Sequence, residues 1–172
     1  MSVHSHSYEY QNMTVTYEQI RERREELDKE REERIRLIHG TINKLRDTYI
    51  ESLGLKGANW KTIDGYTRGY VYVSQFNERD LSPEDVQFKD YYIADIQIET
   101  VIDDTPRGGK SVKVDVDIYV RDDELHIDIG SADDLTRKAF VIDPENDTQM
   151  QKVCDALKDA TLMKIVDPGL EA

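Results

Sequence analysis

The stretch from Lys113 to Gly130, KVDVDIYVRDDELHIDIG, decides the fold class. Val114, Val116, Ile118 and Val120 fall on every second residue, and Leu125, Ile127 and Ile129 do the same. Successive side chains of a strand point to opposite faces, so this alternation marks two half-buried strands. Asp122-Asp123 lies between them at the length of a two-residue hairpin turn. Parity then tests the register, because a slip of one residue would send every apolar side chain to the wrong face. Across that turn Val120 faces Leu125, Ile118 faces Ile127 and Val116 faces Ile129. The same register sets Tyr119 opposite His126 and Asp117 opposite Asp128 on the polar face.

The alternation continues upstream. Ala94, Ile96, Ile98, Thr100 and Ile102 share one face, with Asp95, Gln97 and Glu99 on the other. The hairpin around TPRGGK (105–110) needs an odd loop to match apolar faces, which is expected to set Glu99 near Asp115 or Asp117. Before it, TRGYVYVSQF (67–76) alternates Tyr70, Tyr72 and Phe76 with Val71 and Val73. Both faces are apolar, which predicts a strand covered on both sides. The intervening NERDLSPEDVQFKD (77–90) reads as a polar loop with one short helical turn capped by Ser82. Downstream, RKAFVID (137–143) predicts a fifth strand, broken by Pro144. Asp147 or Thr148 then caps a helix running to about Met163, with Met150, Val153, Cys154, Leu157 and Ala160 in one stripe.

The N-terminal part has a different grammar. Residues 1–15 are polar and patternless, a mobile tail in which His4 and His6 form no credible metal pair. Thr16 and Gln19 make a capping box, and no proline interrupts Tyr17 to Leu53. The segment RERREELDKEREERIR (21–36) is nearly all charge, with helix-supporting pairs Glu25–Lys29, Glu30–Arg34 and Glu32–Arg36. Beyond it Ile35, Ile38, Ile42, Leu45 and Tyr49 step by threes and fours, the rhythm of a coiled-coil seam. A helix over 16–53 would be about 55 Å long at roughly 1.5 Å per residue. That exceeds what the remaining domain covers easily, so these five residues are expected to form an oligomer interface with a second copy. Gly54 and Gly57 end the helix. The organisation is thus a tail over 1–15, an oligomerisation helix over 16–53, and a small domain over 54–172. The fold class is α+β: a long N-terminal helix, an antiparallel meander of four to five strands, and a C-terminal amphipathic helix on one sheet face.

Charge narrows the functions. The chain has 172 residues, and 36 Asp and Glu against 23 Lys and Arg give a net charge of −13. Such an excess disfavours nucleic acid and anionic membranes, since no cationic surplus is left to release counterions. One cysteine rules out an intrachain disulfide. With neither a signal-like N-terminus nor an apolar run of membrane length, this predicts a cytoplasmic protein.

Two surfaces stand out. Glu99, Asp115, Asp117, His126 and Asp128 gather on the polar sheet face, either a plain solvated face or a docking surface for a basic protein. Pro106-Arg107-Gly108-Gly109-Lys110 is a locally basic turn, where glycine amides flanked by Arg107 and Lys110 suit an anion, with Tyr70 and Tyr72 as stacking partners. No catalytic, metal or cofactor motif is present: HExxH, nucleophile elbow, paired cysteines and the phosphate-loop spacing are all absent. The leading expectation is a non-enzymatic, homo-oligomeric interaction protein, of the adaptor, inhibitor or chaperone-like kind found in bacteria and phage. The alternative is a binder of a small, nucleotide-like anion in a pocket between subunits. A metal-assisted enzyme ranks last.

Overall fold

The computed structural model describes residues 14–170. Most of the expected tail, with His4 and His6, lies outside the described residues. The chain divides into two units, with the boundary between Glu33 and Arg34. Helix α1 (Tyr17–Ser52) begins in the first unit and ends in the second.

In the first unit the capping box forms as expected. The Thr16 amide donates to Gln19 Oε1 at 2.9 Å, and the Gln19 amide donates to Thr16 Oγ1 at 3.3 Å. None of the described residues before Arg34 is buried. The charged run is held by pairs other than those expected: Arg21–Glu25 and Arg24–Asp28 at four-residue spacing, Arg23–Glu26 and Asp28–Arg31 at three. These bonds are solvated, and each adds a few tenths of a kcal/mol at most.

In the second unit α1 changes role. Ile38, Ile42, Leu45 and Tyr49 are sealed inside the chain's own core, each no more than 1% exposed. This corrects the expected oligomer interface. The four have no surface left for a second copy, and Ile35 is half-buried. The rhythm marks a buried stripe, but the sheet of the same chain supplies the shelter. Tyr49 shows how: its hydroxyl lies 3.0 Å from Thr100 Oγ1 and 3.3 Å from Thr161 Oγ1, so its polar end is satisfied at the helix–sheet–helix junction. Helix α1 closes in a Schellman motif, with the Leu55 amide donating to the Ile50 carbonyl and the Gly54 amide to the Glu51 carbonyl. Gly54 takes φ +71°, the left-handed conformation this cap needs.

Five antiparallel strands follow the small hairpin β1 (Trp60–Lys61) and β2 (Thr67–Arg68): β3 (Val71–Ser74), β4 (Ala94–Val101), β5 (Ser111–Arg121), β6 (Glu124–Ile129) and β7 (Lys138–Ile142). They lie side by side in chain order, a meander. The β5–β6 register is the expected one, with Val116 opposite Ile129, Asp117 opposite Asp128 and Tyr119 opposite His126. Asp122 and Asp123 form the turn at φ +51° and +59°. The rings of Tyr119 and His126 stack at 5.0 Å. The β4–β5 loop is odd, as face-matching requires, but its length sets Glu99 opposite Lys113 and Asp95 opposite Asp117. Glu99 is therefore not paired with Asp115 or Asp117.

Three further expectations shift. Residues 67–76 are split between β2 and β3, and β3 is an edge strand in which Val71, Val73 and Ser74 are buried and Tyr72 half-buried. Phe76 lies beyond its end, exposed, at φ +56°. The turn at Pro83–Asp85 follows Ser82, whose side chain makes no cap bond. Strand β4 starts at Ala94, after Tyr91 and Tyr92 at φ +58°, but Ile102 falls outside it, exposed.

Helix α2 (Asp147–Met163) is capped by Asn146, whose Oδ1 accepts from the Gln149 amide, one residue earlier than expected. Its stripe Met150, Val153, Cys154 and Leu157 is fully buried and joins Ile38, Ile42 and Leu45 in one core cluster with the apolar sheet side chains. Burial pushes the Cys154 thiol up to about 11. Lys158 Nζ donates to the Ser52 carbonyl at 3.0 Å, placing a cation at the C-terminus of α1. Among the described residues no helix is long and apolar enough to cross a membrane.

Candidate anion-binding site

At one end of β3, two loops close on each other. The Ile63 amide of the β1–β2 turn donates to the Pro106 carbonyl of the β4–β5 loop at 2.7 Å. Trp60, buried at the base of the small hairpin, donates its indole N–H to the Gly69 carbonyl at 3.0 Å. Between them lies a cavity of about 270 Å³ lined by Trp60, Ile63, Arg68, Tyr72, Arg79 and Arg107, with Asp64 and Gly108-Gly109 also on its wall. A second cavity of about 380 Å³ shares Arg68, Tyr72 and Arg79 with it and adds Tyr66 and Asp80.

The basic turn thus contributes to a pocket, though not by the expected route. The Gly108 amide is spent on the Thr105 carbonyl at 2.8 Å and the Gly109 amide on the Asp103 carbonyl at 2.7 Å. Neither N–H is left for an anion. The glycines serve packing instead. A Cβ on Gly108 would lie 2.4 Å from Asp103 Oδ1, and Gly109, at φ +106°, sits against the Trp60 ring. Of the expected ligand residues, Arg107, Gly108, Gly109 and Tyr72 meet here. Lys110 does not line either cavity, and Tyr70 turns its hydroxyl to Asp104 at 2.7 Å.

The charge comes from guanidinium groups. Arg68 and Arg107 form no ion pair among the described residues. Arg79 lies over the Tyr72 ring at 5.2 Å, a cation–π contact, and uses one Nη2 to hold Glu99 Oε1 at 2.5 Å. The same Nη2 also reaches Ser111 Oγ at 3.4 Å. Glu99 is 1% exposed yet fully answered: Ser74 donates to Oε2 at 2.9 Å and Ser111 to Oε1 at 2.5 Å. Burial alone would raise this carboxyl. The bonds from Arg79, Ser111 and Ser74 outweigh it and hold the group below the ordinary glutamate range. Glu99 is a brace behind Arg79, fixing where that guanidinium points.

The other acidic residues also have partners within the chain, although Asp128 Oδ1 is buried with no hydrogen-bond partner among the described residues. Arg137 Nη2 bridges Asp117 Oδ2 at 3.1 Å and Asp128 Oδ2 at 2.9 Å, and Tyr119 donates to Asp128 Oδ2 at 3.1 Å. Lys89 lies between Asp95 and Asp117. Gln97 donates to Asp115 at 3.0 Å. Asp117 stays above the ordinary aspartate range through burial and the facing Asp95, against the pull of Arg137 and Lys89. His126 is taken up by its stack on Tyr119. No group of three or more His, Cys, Asp or Glu side chains among the described residues is placed to hold a metal.

Arg68, Arg79 and Trp60 were missed from sequence. Arg68 read as strand and Arg79 as polar loop, and their meeting depends on long-range folding. A scan against protein-family models, a search of curated proteins and a search of solved structures each found no match to this chain.

Proposed function

We propose that the second unit binds a small anion in the cavity between the β1–β2 turn and the β4–β5 loop. One observation carries this reading. Three arginines converge on a concave site in a chain of net charge −13, and two of them have no carboxylate partner among the described residues. Planar guanidinium forks match the oxygens of phosphate or carboxylate and bind them bidentately. Trp60 and the stitched loops pre-form the wall, which lowers the ordering cost of binding. The site is built within one chain and needs no second subunit. The acidic sheet face supports a docking role for a basic protein less well, because Arg79, Lys89 and Arg137 already pair with Glu99, Asp117 and Asp128, which leaves Asp115 as the carboxylate held by a neutral side chain.

Calorimetric titration of the full chain with phosphate, pyrophosphate, sulfate and small dicarboxylates tests this. At least one should bind, and Arg68→Ala should weaken it about tenfold, in line with loss of a charge-assisted hydrogen bond. Absence of binding across the panel would end the proposal. A second reading keeps self-association, confined to the first unit, where Tyr17, Ile20 and Leu27 are exposed at helical spacing. Light scattering at rising concentration tests it, and a monomer mass throughout would dismiss it.

A further inference from the structure

The two cavities differ in chemistry, and the difference specifies a ligand. The first is surrounded by Arg68, Arg79 and Arg107, opposed on its wall by Asp64 alone. The second keeps Arg68 and Arg79 at its junction with the first, then changes character. There Tyr66 stands 67% exposed, and among the described residues nothing engages its hydroxyl or ring. Beside it Asp80 offers a carboxylate acceptor from a backbone at φ +58°. The Trp60 ring is buried and tied to Gly69, so it is wall and not platform. A ligand that fills both cavities needs an anionic group at one end. At the other it needs a flat, apolar-faced ring with hydrogen-bond donors nearby.

We infer that the site takes a free nucleoside monophosphate. This rests on the anion-binding reading above. The phosphate lies among Arg68, Arg79 and Arg107. The base stacks on Tyr66, because every base has a π-face that an exposed aromatic ring can cover. Asp80 accepts from a ribose hydroxyl or an exocyclic amine, groups that donate to a carboxylate. Glu99 acts at one remove as a positioning residue, holding Arg79 at the junction where phosphate and sugar meet.

The test compares adenosine monophosphate, inorganic phosphate and adenosine in titrations of the full chain. The monophosphate should bind at least about tenfold more tightly than either fragment. Tyr66→Ala should weaken the monophosphate by about fivefold or more, the range seen when a base loses its aromatic platform. The same variant should leave inorganic phosphate unchanged, and Tyr66→Phe should bind as the parent does. Tyr66 is exposed, and its backbone bonds to Thr62 survive the substitution, so circular dichroism should match the parent. Equal affinity for phosphate and monophosphate would overturn the nucleotide assignment and leave the anion site standing. A monophosphate that binds Tyr66→Ala at full strength would overturn the placement of the base. No binding of any of the three, together with failure of the wider anion panel, would remove both readings.

Discussion

Glu99 and Asp117 share a sheet face and answer pH in opposite senses. Glu99 is stabilised as the anion by Arg79, Ser111 and Ser74, and its folded pKa lies below the unfolded one. Its contribution is therefore complete above the ordinary glutamate range and is lost as pH falls through the depressed value. Asp117 is held above its ordinary range by burial and Asp95, so its ionisation costs stability, and that cost is relieved as pH falls through the raised value. The isosteric amides separate the two. Glu99→Gln should lower stability by about 2 kcal/mol at neutral pH, since Arg79 and two serine hydroxyls lose their anion. It should also flatten the acid limb of a stability–pH curve. Asp117→Asn should leave the unfolding midpoint unchanged or raise it, because an amide can donate to Asp95 where a second carboxylate repels it. Urea titrations of both variants check this, and a shared sign would refute it. Neither role was legible in the sequence. Alternation placed both residues on the polar face, but not the cations from Arg79 and Arg137, which arrive from irregular loops.

The elements divide by how local their determinants are. The β5–β6 hairpin was legible down to individual cross-strand pairs, because two residues of turn and a strict period leave one register that buries Val116, Ile118 and Val120 with Ile129, Ile127 and Leu125. Its turn retains strain, as Asp123 sits at φ +59° without being glycine. Asp123→Gly should stabilise the fold by about 1 kcal/mol, the usual relief at such a position, read as a rise in the denaturation midpoint. A fall would mean the Asp123 side chain holds the turn in some other way. The β4–β5 hairpin was half legible: parity gave the odd loop, but its nine residues, 102–110, set a register that no face pattern could decide. Helix α1 departs furthest from what its sequence implies. An apolar stripe at three- and four-residue steps looks the same whether it faces a partner helix or its own sheet. The sign that separated them was Tyr49, whose hydroxyl asks for a polar neighbour, and Thr100 and Thr161 provide it.

At the scale of the molecule, stability resides after Glu33. Residues 14–33 bury nothing, and their ion pairs are solvated, so a chain beginning at Arg34 should keep the sheet, both core helical segments and a melting temperature within a few degrees of the full chain. Differential scanning calorimetry of the two lengths decides this. A large loss would assign the charged segment a share of the folding energy that its exposure does not suggest. The shortened chain should also bind the same anions, because every residue of the cavity lies beyond that point. Cys154 bears on how such experiments can be done. It is the chain's single cysteine, fully enclosed on the buried face of α2, with a thiol that ionises at about 11. A thiol-reactive dye should modify it only when α2 lifts away, so labelling rate becomes a clock for rare openings of the native state. A ligand that fastens the two loops should slow that clock only as far as it stabilises the whole unit. The protein thereby carries an internal gauge of its own breathing, readable without adding a probe site.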